Sequence, residues 1–395
     1  MHRAALRCAT ARSSKPFRHS PPTLDVNYGK RAPFTLGVEE ELQLVNAETF
    51  DLTSRYAEVF GEAARHDDRI KEELLQSTVE VATEPCNTVA EAIAEAGELR
   101  RRAHEYADAH DVRVLSAGTH PFSRYEHQDV TDKPRYVELM DALQWAAERQ
   151  LIFGLHVHVG LESAEQAIHV ANALRTWLPE LLALSANSPF WHGRDSGLST
   201  IRSKVFDAMP RSGLPPRFDS FGDFERLVER GVRTGSFDDY TFIWWDLRPH
   251  PRLGTIEVRV CDAQTRLENV AVLVALVQSL AATLAEQYDR EGALPCQPVT
   301  LIAENKWRAV RHGLDAELVD LVHDEQRPAR EALRELAELA SPAARRLGCA
   351  DELALLDGVL RRGDGAGEQR AAAESAGGSL LGVAQWLCEH TVEGL

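Results

Sequence analysis

Apolar and polar residues alternate along four short stretches, and the polar side of each carries titratable groups. The stretches are 36–44 (LGVEEELQL), 79–85 (VEVATEP), 155–161 (LHVHVGL) and 255–261 (TIEVRVC). A period of two is the mark of a half-buried strand. In the first stretch Val38, Leu42 and Leu44 oppose Glu39, Glu41 and Gln43; in the third Leu155, Val157 and Val159 oppose His156, His158 and Gly160. In the fourth, Ile256, Val258 and Val260 oppose Thr255, Glu257, Arg259 and Cys261, and in the second Glu80 and Glu84 share a face that Pro85 ends. Acids gathered on one sheet face repel one another unless a cation neutralises them. The pattern therefore predicts one antiparallel sheet with an acidic, metal-loaded concave face. Glu40 falls on the apolar side and is expected to make a structural ion pair.

Between these strands the period changes to that of helices. Residues 88–110 form one, with Thr88 as its cap and Val89, Ile93, Ala96 and Leu99 at helical spacing; 134–150, 163–186, 221–230 and 269–288 form others. Residues 112–117 read as a strand ending in the turn GTHPF, and 240–248 as an aromatic strand closed by Pro249 and Pro251. The most apolar run, 270–284, contains Gln278 and Ser279 and reads as a buried helix. From about residue 300 the pattern is almost purely helical, interrupted by the Gly/Ala-rich stretch 361–378, which is expected to be a mobile loop, before a last helix over 379–390. There is no strict strand–helix alternation, so the fold class is α+β.

The chain has 395 residues, 44 basic against 61 acidic, for a net charge of −17. That balance argues against nucleic acid or an anionic membrane as partner, while local charge leaves an anionic substrate open. The six cysteines contain no CxxC pair, as expected in a reducing cytoplasm; Cys261 reads as a small buried filler. The N-terminal stretch is basic and lacks the apolar core of a secretory signal. Residues 1–30 are therefore set aside as a disordered arm or non-native extension, with one domain over 31–395.

Glu39 and Glu41 lie two apart on one strand, and carboxylates so paired suit Mg²⁺. Glu80 is a further candidate. His156 and His158 add imidazoles on the same kind of face, but the surplus of carboxylates favours Mg²⁺ or Mn²⁺ over zinc. Glu257 beside Arg259 pairs a ligand with a guanidinium suited to a phosphoryl group or a carboxylate. The long segment 185–216 carries Arg194, Arg202, Lys204 and Arg211 and reads as a functional loop with a lid role. Trp244, Trp245, Arg248 and His250 form a further cluster.

Taken together, TLGVEEELQLV, STVEVATEPC, GTHPF, GLHVHVGL, LSANSPFWHGRDSGLSTIRSKVFDAMPRSGLPP and WWDLRPHPRLGTIEVRVCDAQT, in this order over residues 35–265, resemble the glutamate–cysteine ligase type 2 family, ATP-dependent carboxylate–amine ligases related to glutamine synthetase. The resemblance implies a glutamine-synthetase-like curved antiparallel sheet with helices on its outer face, holding ATP and Mg²⁺ (or Mn²⁺). It implies activation of the γ-carboxylate of glutamate as an acyl phosphate and attack by an amine, with the weak glutamate–cysteine ligase activity general to this branch. By motif, Glu39, Glu41, Glu80, one of His156 and His158, and Glu257 fall at the metal ligands. Arg259, Arg202 and Arg211 fall where phosphate and substrate carboxylates are held, and Arg248 and Lys204 are assigned to the nucleotide. The partners implied are small molecules: glutamate, and cysteine or another amine; a homo-oligomer is compatible with this. The alternatives are a ligase for ammonia or another amine, and a non-catalytic homologue that binds glutamate or nucleotide.

Overall fold

The computed structural model describes residues 24–395. The part of the expected N-terminal arm up to residue 23 lies outside that range. The rest of the arm does not behave as an extension: Asn27 donates its N–H to Pro251 O (2.9 Å), Gly29 to Leu161 O (3.0 Å), and Tyr28 packs edge-on against Phe221. Leu24 and Tyr28 supply apolar anchors that a basic, Pro-rich context hides from a composition argument.

Seven strands form the main sheet. They are β1 (Leu36–Asn46), β2 (Ile70–Glu72), β3 (Thr78–Ala82), β4 (Val112–Leu115), β5 (Leu155–Gly160), β6 (Leu247–His250) and β7 (Thr255–Val258). The order is β6-β7-β5-β1-β3-β2, with β4 pairing the far end of β1, and every pairing in it is antiparallel. The helices that concern the site are α1 (Val89–Asp108), α2 (Ala164–Leu174), α3 (Leu178–Ser185), α4 (Ile201–Phe206), α5 (Leu267–Glu291), α6 (Ala329–Leu347), α7 (Gly365–Ser375) and α8 (Leu380–Thr391).

The strand alternation works as read. Val38, Val157, Val159, Ile256 and Val258 turn to one side and enter a continuous core with α2, α3, α5 and α6. Helix α5 is the centre of that core. It is long and apolar enough to cross a membrane, yet its apolar surface is already buried against protein, and buried Gln278 donates its amide nitrogen to Phe34 O (2.8 Å). Thr88 caps α1 in a capping box: its hydroxyl accepts from Glu91 N (3.2 Å), while the Glu91 carboxylate accepts from Thr88 N (3.4 Å).

Glu40 makes the expected ion pair. Arg100 of α1 grips it with two nitrogens (2.8 and 2.5 Å), both side chains being excluded from solvent. The same guanidinium donates to Gln264 O (2.6 Å) and Thr265 O (2.9 Å).

Several boundaries differ from the sequence expectation for identifiable reasons. The helix read over 163–186 breaks at Arg175–Trp177, because Pro179 lacks the N–H that would continue the ladder and its ring crowds the carbonyl four residues back. Residues 134–150 divide at Gln144, which takes a positive φ of 47°. Pro249 lies within β6 and is tolerated because β6 is an edge strand. The Gly/Ala stretch expected to be mobile contains helix α7, capped by Asp364. Gln369 Nε2 donates to both Asn187 O and Asn187 Oδ1 (2.9 and 2.8 Å), so the small residues there serve close packing. The segment 185–216 holds α4 and a short hairpin.

Candidate active site

The register of the sheet collects the polar face into two rows. Arg248 on β6 opposes Glu257 on β7, which opposes His158 on β5. Lys71 on β2 opposes Glu80 on β3, which opposes Glu41 on β1. Glu39 on β1 opposes His156 on β5 and joins the rows. These groups, Lys71 excepted, line one cavity of about 420 Å³, together with Arg202, Arg259, Glu73, Arg135, Tyr136, Trp244 and His250.

Glu39, His158 and Glu257 each bring one ligand atom within 4.8 Å of the others. His158 Nδ1 is fixed by Thr255 Oγ1 (3.0 Å), while its Nε2 is buried without a hydrogen-bond partner, 3.5 Å from Glu39 Oε1 and 3.9 Å from Glu257 Oε1. An orphaned imidazole nitrogen between two carboxylates fits a cation: one nitrogen is held, and at the other a bound cation would take the place of a proton. Burial alone would raise Glu39, but His158 and His156 outweigh it and hold the carboxyl well below its usual range. Arg248 and Arg259 do the same for Glu257 against its burial. His158 is raised, because Glu257 and Glu39 overcome its desolvation. Both carboxylates are thus charged and ready to ligate.

His156 is placed differently. Its Nδ1 contacts Glu39 Oε2 (3.2 Å) and its Nε2 stands 4.0 Å from Glu41 Oε1. Burial, with the nearby Arg259 charge adding, lowers it, so it stays neutral. Glu41 accepts the Gly154 N–H (2.5 Å). Glu80 meets Lys71 Nζ at 3.3 Å, but burial and then the charges of Glu39 and Glu73 push its carboxyl well above the usual range. Glu73 is raised to about 7 by burial and by Glu41. This end of the cavity holds more carboxylates than the protein's own cations neutralise.

The arginines divide. Arg259 pairs with Glu257 and Arg248 holds the other Glu257 oxygen (2.7 Å), while also donating to Thr241 O and Ile243 O (3.0 Å each). Arg202, on α4, reaches the cavity with Nη1 donating to Val260 O (3.3 Å) and Nη2 to Arg259 O (3.2 Å). Behind it, buried Asp262 accepts from Asn187 N (2.9 Å), Ser188 Oγ (2.6 Å) and Thr200 Oγ1 (2.9 Å), with Arg202 Nη1 3.8 Å away. Gly154 leaves room for this arginine, since a Cβ there would lie 2.4 Å from Arg202 Nη2 and 2.9 Å from His156 Nε2.

Two assigned residues are not brought into the cavity. Arg211 donates Nε to Phe242 O (2.9 Å) and lies over the rings of Phe237 and Trp244, outside the lining. Lys204 shares α4 with Arg202 but points to the other side, pairing with Asp207 (2.6 Å). Helical geometry separates neighbours two apart onto opposite faces. Cys261 is fully buried in the core, where the strand has ended and its alternation with it. Of the aromatic cluster, Trp245 is core and Trp244 lines the cavity. Glu73, Arg135 and Tyr136 were missed by the sequence reading. They lie outside alternating strands, and only the acidity of KEELL around Glu73 offered a signal.

The model of glutamate–cysteine ligase family 2 (GCS2) matches residues 35–386. A protein of Rubrobacter xylanophilus named for this ligase group is 45% identical over 370 residues, covering 93% of this chain and 100% of the relative. Another from Sorangium cellulosum is 44% identical, covering 86% and 91%. Among solved structures, the glutamate–cysteine ligase of Francisella tularensis in complex with AMP superposes with a TM-score of 0.65 at 13% identity, over 92% of this chain and 90% of that one. A bifunctional glutathione synthetase of Pasteurella multocida gives a TM-score of 0.63 at 16% identity, over 92% of this chain and 53% of that one. The α+β fold expected from the sequence, an antiparallel sheet with helices packed against it, is borne out by these likenesses and by the sheet itself. The chain belongs to glutamate–cysteine ligase family 2 and is a ligase of that family.

Proposed function

We propose that the chain is an ATP-dependent carboxylate–amine ligase that converts the γ-carboxylate of glutamate into an acyl phosphate and passes the acyl group to an amine, cysteine being one. The observation that carries this reading is the orphaned His158 Nε2 between two charged carboxylates, flanked by Arg259 and Arg202 in a single cavity. Phosphoryl transfer asks a protein for charge neutralisation and alignment more than for covalent participation. A Mg²⁺ or Mn²⁺ ion held by Glu39, His158 and Glu257, with Glu41 and Glu80 nearby, would neutralise phosphate oxygens.

The chain's own groups do the rest. Arg259 and Arg202 face the region where negative charge develops, and each is anchored by backbone carbonyls or a carboxylate, so little reorganisation is needed. Arg248 keeps Glu257 ionised and oriented rather than touching substrate. The carboxylate-rich end formed by Glu73, Glu80 and Glu41 is suited to an incoming amine's positive charge and to its proton, because raised carboxyls accept protons near neutrality. Lys204 and Arg211 have no place in this scheme.

Hydroxylamine trapping tests the proposed intermediate. With ATP, Mg²⁺ and glutamate, the protein should form γ-glutamyl hydroxamate in step with ADP. ADP formed without hydroxamate would contradict the acyl phosphate.

A further inference from the structure

Lys204, set aside by the catalytic cavity, belongs to another one. A second cavity of about 490 Å³ lies on the far side of α4, lined by Trp145, Arg149, Trp191, Arg194, Lys204 and Val205 among others. Its charge is unusual for a chain of net charge −17. Arg149 and Arg194 have no carboxylate partner among the described residues. Asp195, the carboxylate in the lining, is neutralised by Arg370 through two bonds of 2.8 and 2.9 Å. The aromatic surface is organised too. Trp145 is about half exposed (55%), with the Arg149 guanidinium 4.3 Å from its ring centre. Trp191 is held by His192, which stacks on it at 4.5 Å with the planes 12° apart. His192 and Gly193 take φ of 51° and 82° at the tip of the hairpin that carries Arg194.

We propose that this cavity is a second binding site, for an anion that carries a planar ring, of the nucleotide class. Trp145, the half-exposed tryptophan, supplies the stacking face, while buried Trp191 forms the floor, and the guanidiniums of Arg149 and Arg194, without carboxylate partners, supply planar forks for phosphate oxygens. The site communicates with the catalytic cavity through α4. Arg202 and Phe206 of this single short helix line one cavity, and Ile201, Lys204 and Val205 line the other. An occupant of the second cavity therefore biases the placement of Arg202; this coupling, unlike the binding itself, rests on the catalytic role given to Arg202 above.

The test is tryptophan fluorescence of the full chain in EDTA, titrated with ADP. A saturable change is expected, lost in W145F. Affinity should weaken by about tenfold for each guanidinium removed in R149Q and R194Q, and persist in E257Q, which disables the catalytic cavity. The proposal is overturned if ADP gives no saturable change, or if the change survives W145F and R149Q/R194Q but vanishes in E257Q. Inorganic tripolyphosphate binding as tightly as ADP would overturn the part played by the ring. A protein that shows the Trp145 signal yet makes no hydroxamate would contradict the catalytic reading and leave the second site standing.

Discussion

His158 Nε2 stands 3.9 Å from Glu257 Oε1, directly across the β5–β7 pairing, and has no hydrogen-bond partner of its own. The neighbouring His156 is engaged with Glu39 instead. The two histidines of LHVHV thus have different tasks. H158Q should weaken Mn²⁺ binding by about 10- to 100-fold, as measured by titration calorimetry or EPR. H156Q should weaken it less. Equal losses in both would contradict the assignment of His158.

The carboxylate-rich end predicts a pH dependence. Glu73 is raised from 4.5 to about 7 in the folded protein. Without metal, the folded state therefore binds more protons than the unfolded chain over that window. The stabilising contribution of this group is full below the unfolded value and is lost as pH rises through about 7. In EDTA, the Tm of the wild type relative to E73Q should therefore fall between pH 5 and pH 8. The Tm gain from added Mg²⁺ should grow over the same range, because the cation needs deprotonated carboxylates. Parallel Tm profiles for the two proteins would contradict the shift.

How much of this was legible beforehand depended on periodicity. The polar faces of β1, β5 and β7 were readable because a period of two assigns a side to each residue. On that basis Glu39 and Glu40, adjacent in sequence, were given opposite fates, and Arg100 now shows why Glu40 needed a partner. Register was not readable: nothing in the sequence placed Glu257 opposite His158 rather than opposite His156. Residues on irregular segments, such as Glu73, carry no period and were missed. Arg211 and Lys204 were assigned from the basic content of the 185–216 segment and from motif, and the direction a side chain takes from a loop or a short helix is fixed only by packing. The Gly/Ala stretch that became α7 was misjudged because small residues serve both loops and close contacts, and Asn187 decides between them.

Gly154 is a steric prediction. A Cβ at this position would press on Arg202 Nη2 and His156 Nε2 at 2.4 and 2.9 Å. G154A should lower kcat by about 10- to 100-fold, since misplacement of a catalytic group by an ångström has effects of that order. Its Tm should change little, as the displaced atoms are side-chain ends. A variant with unchanged kcat would show that the position of Arg202 is not critical.

Arg100 tests the scaffold apart from the chemistry. R100A leaves Glu40 buried and unpaired and removes donors from Gln264 O and Thr265 O. The expected cost is about 3–5 kcal/mol, seen as a clear drop in Tm. A Tm within a degree or two of the wild type would mean that the pair is not fully formed in solution.

The central claim is the ligase reaction itself, and ADP release by purified protein with ATP, Mg²⁺ and glutamate tests it most directly, with cysteine, ammonia and a panel of other amines added in turn. The account predicts release stimulated by an amine, with the matching γ-glutamyl amide identified by mass, and loss of both in E257Q. ATP bound tightly but never cleaved, with glutamate and with every amine, would contradict it and leave a nucleotide-binding homologue as the description of this chain.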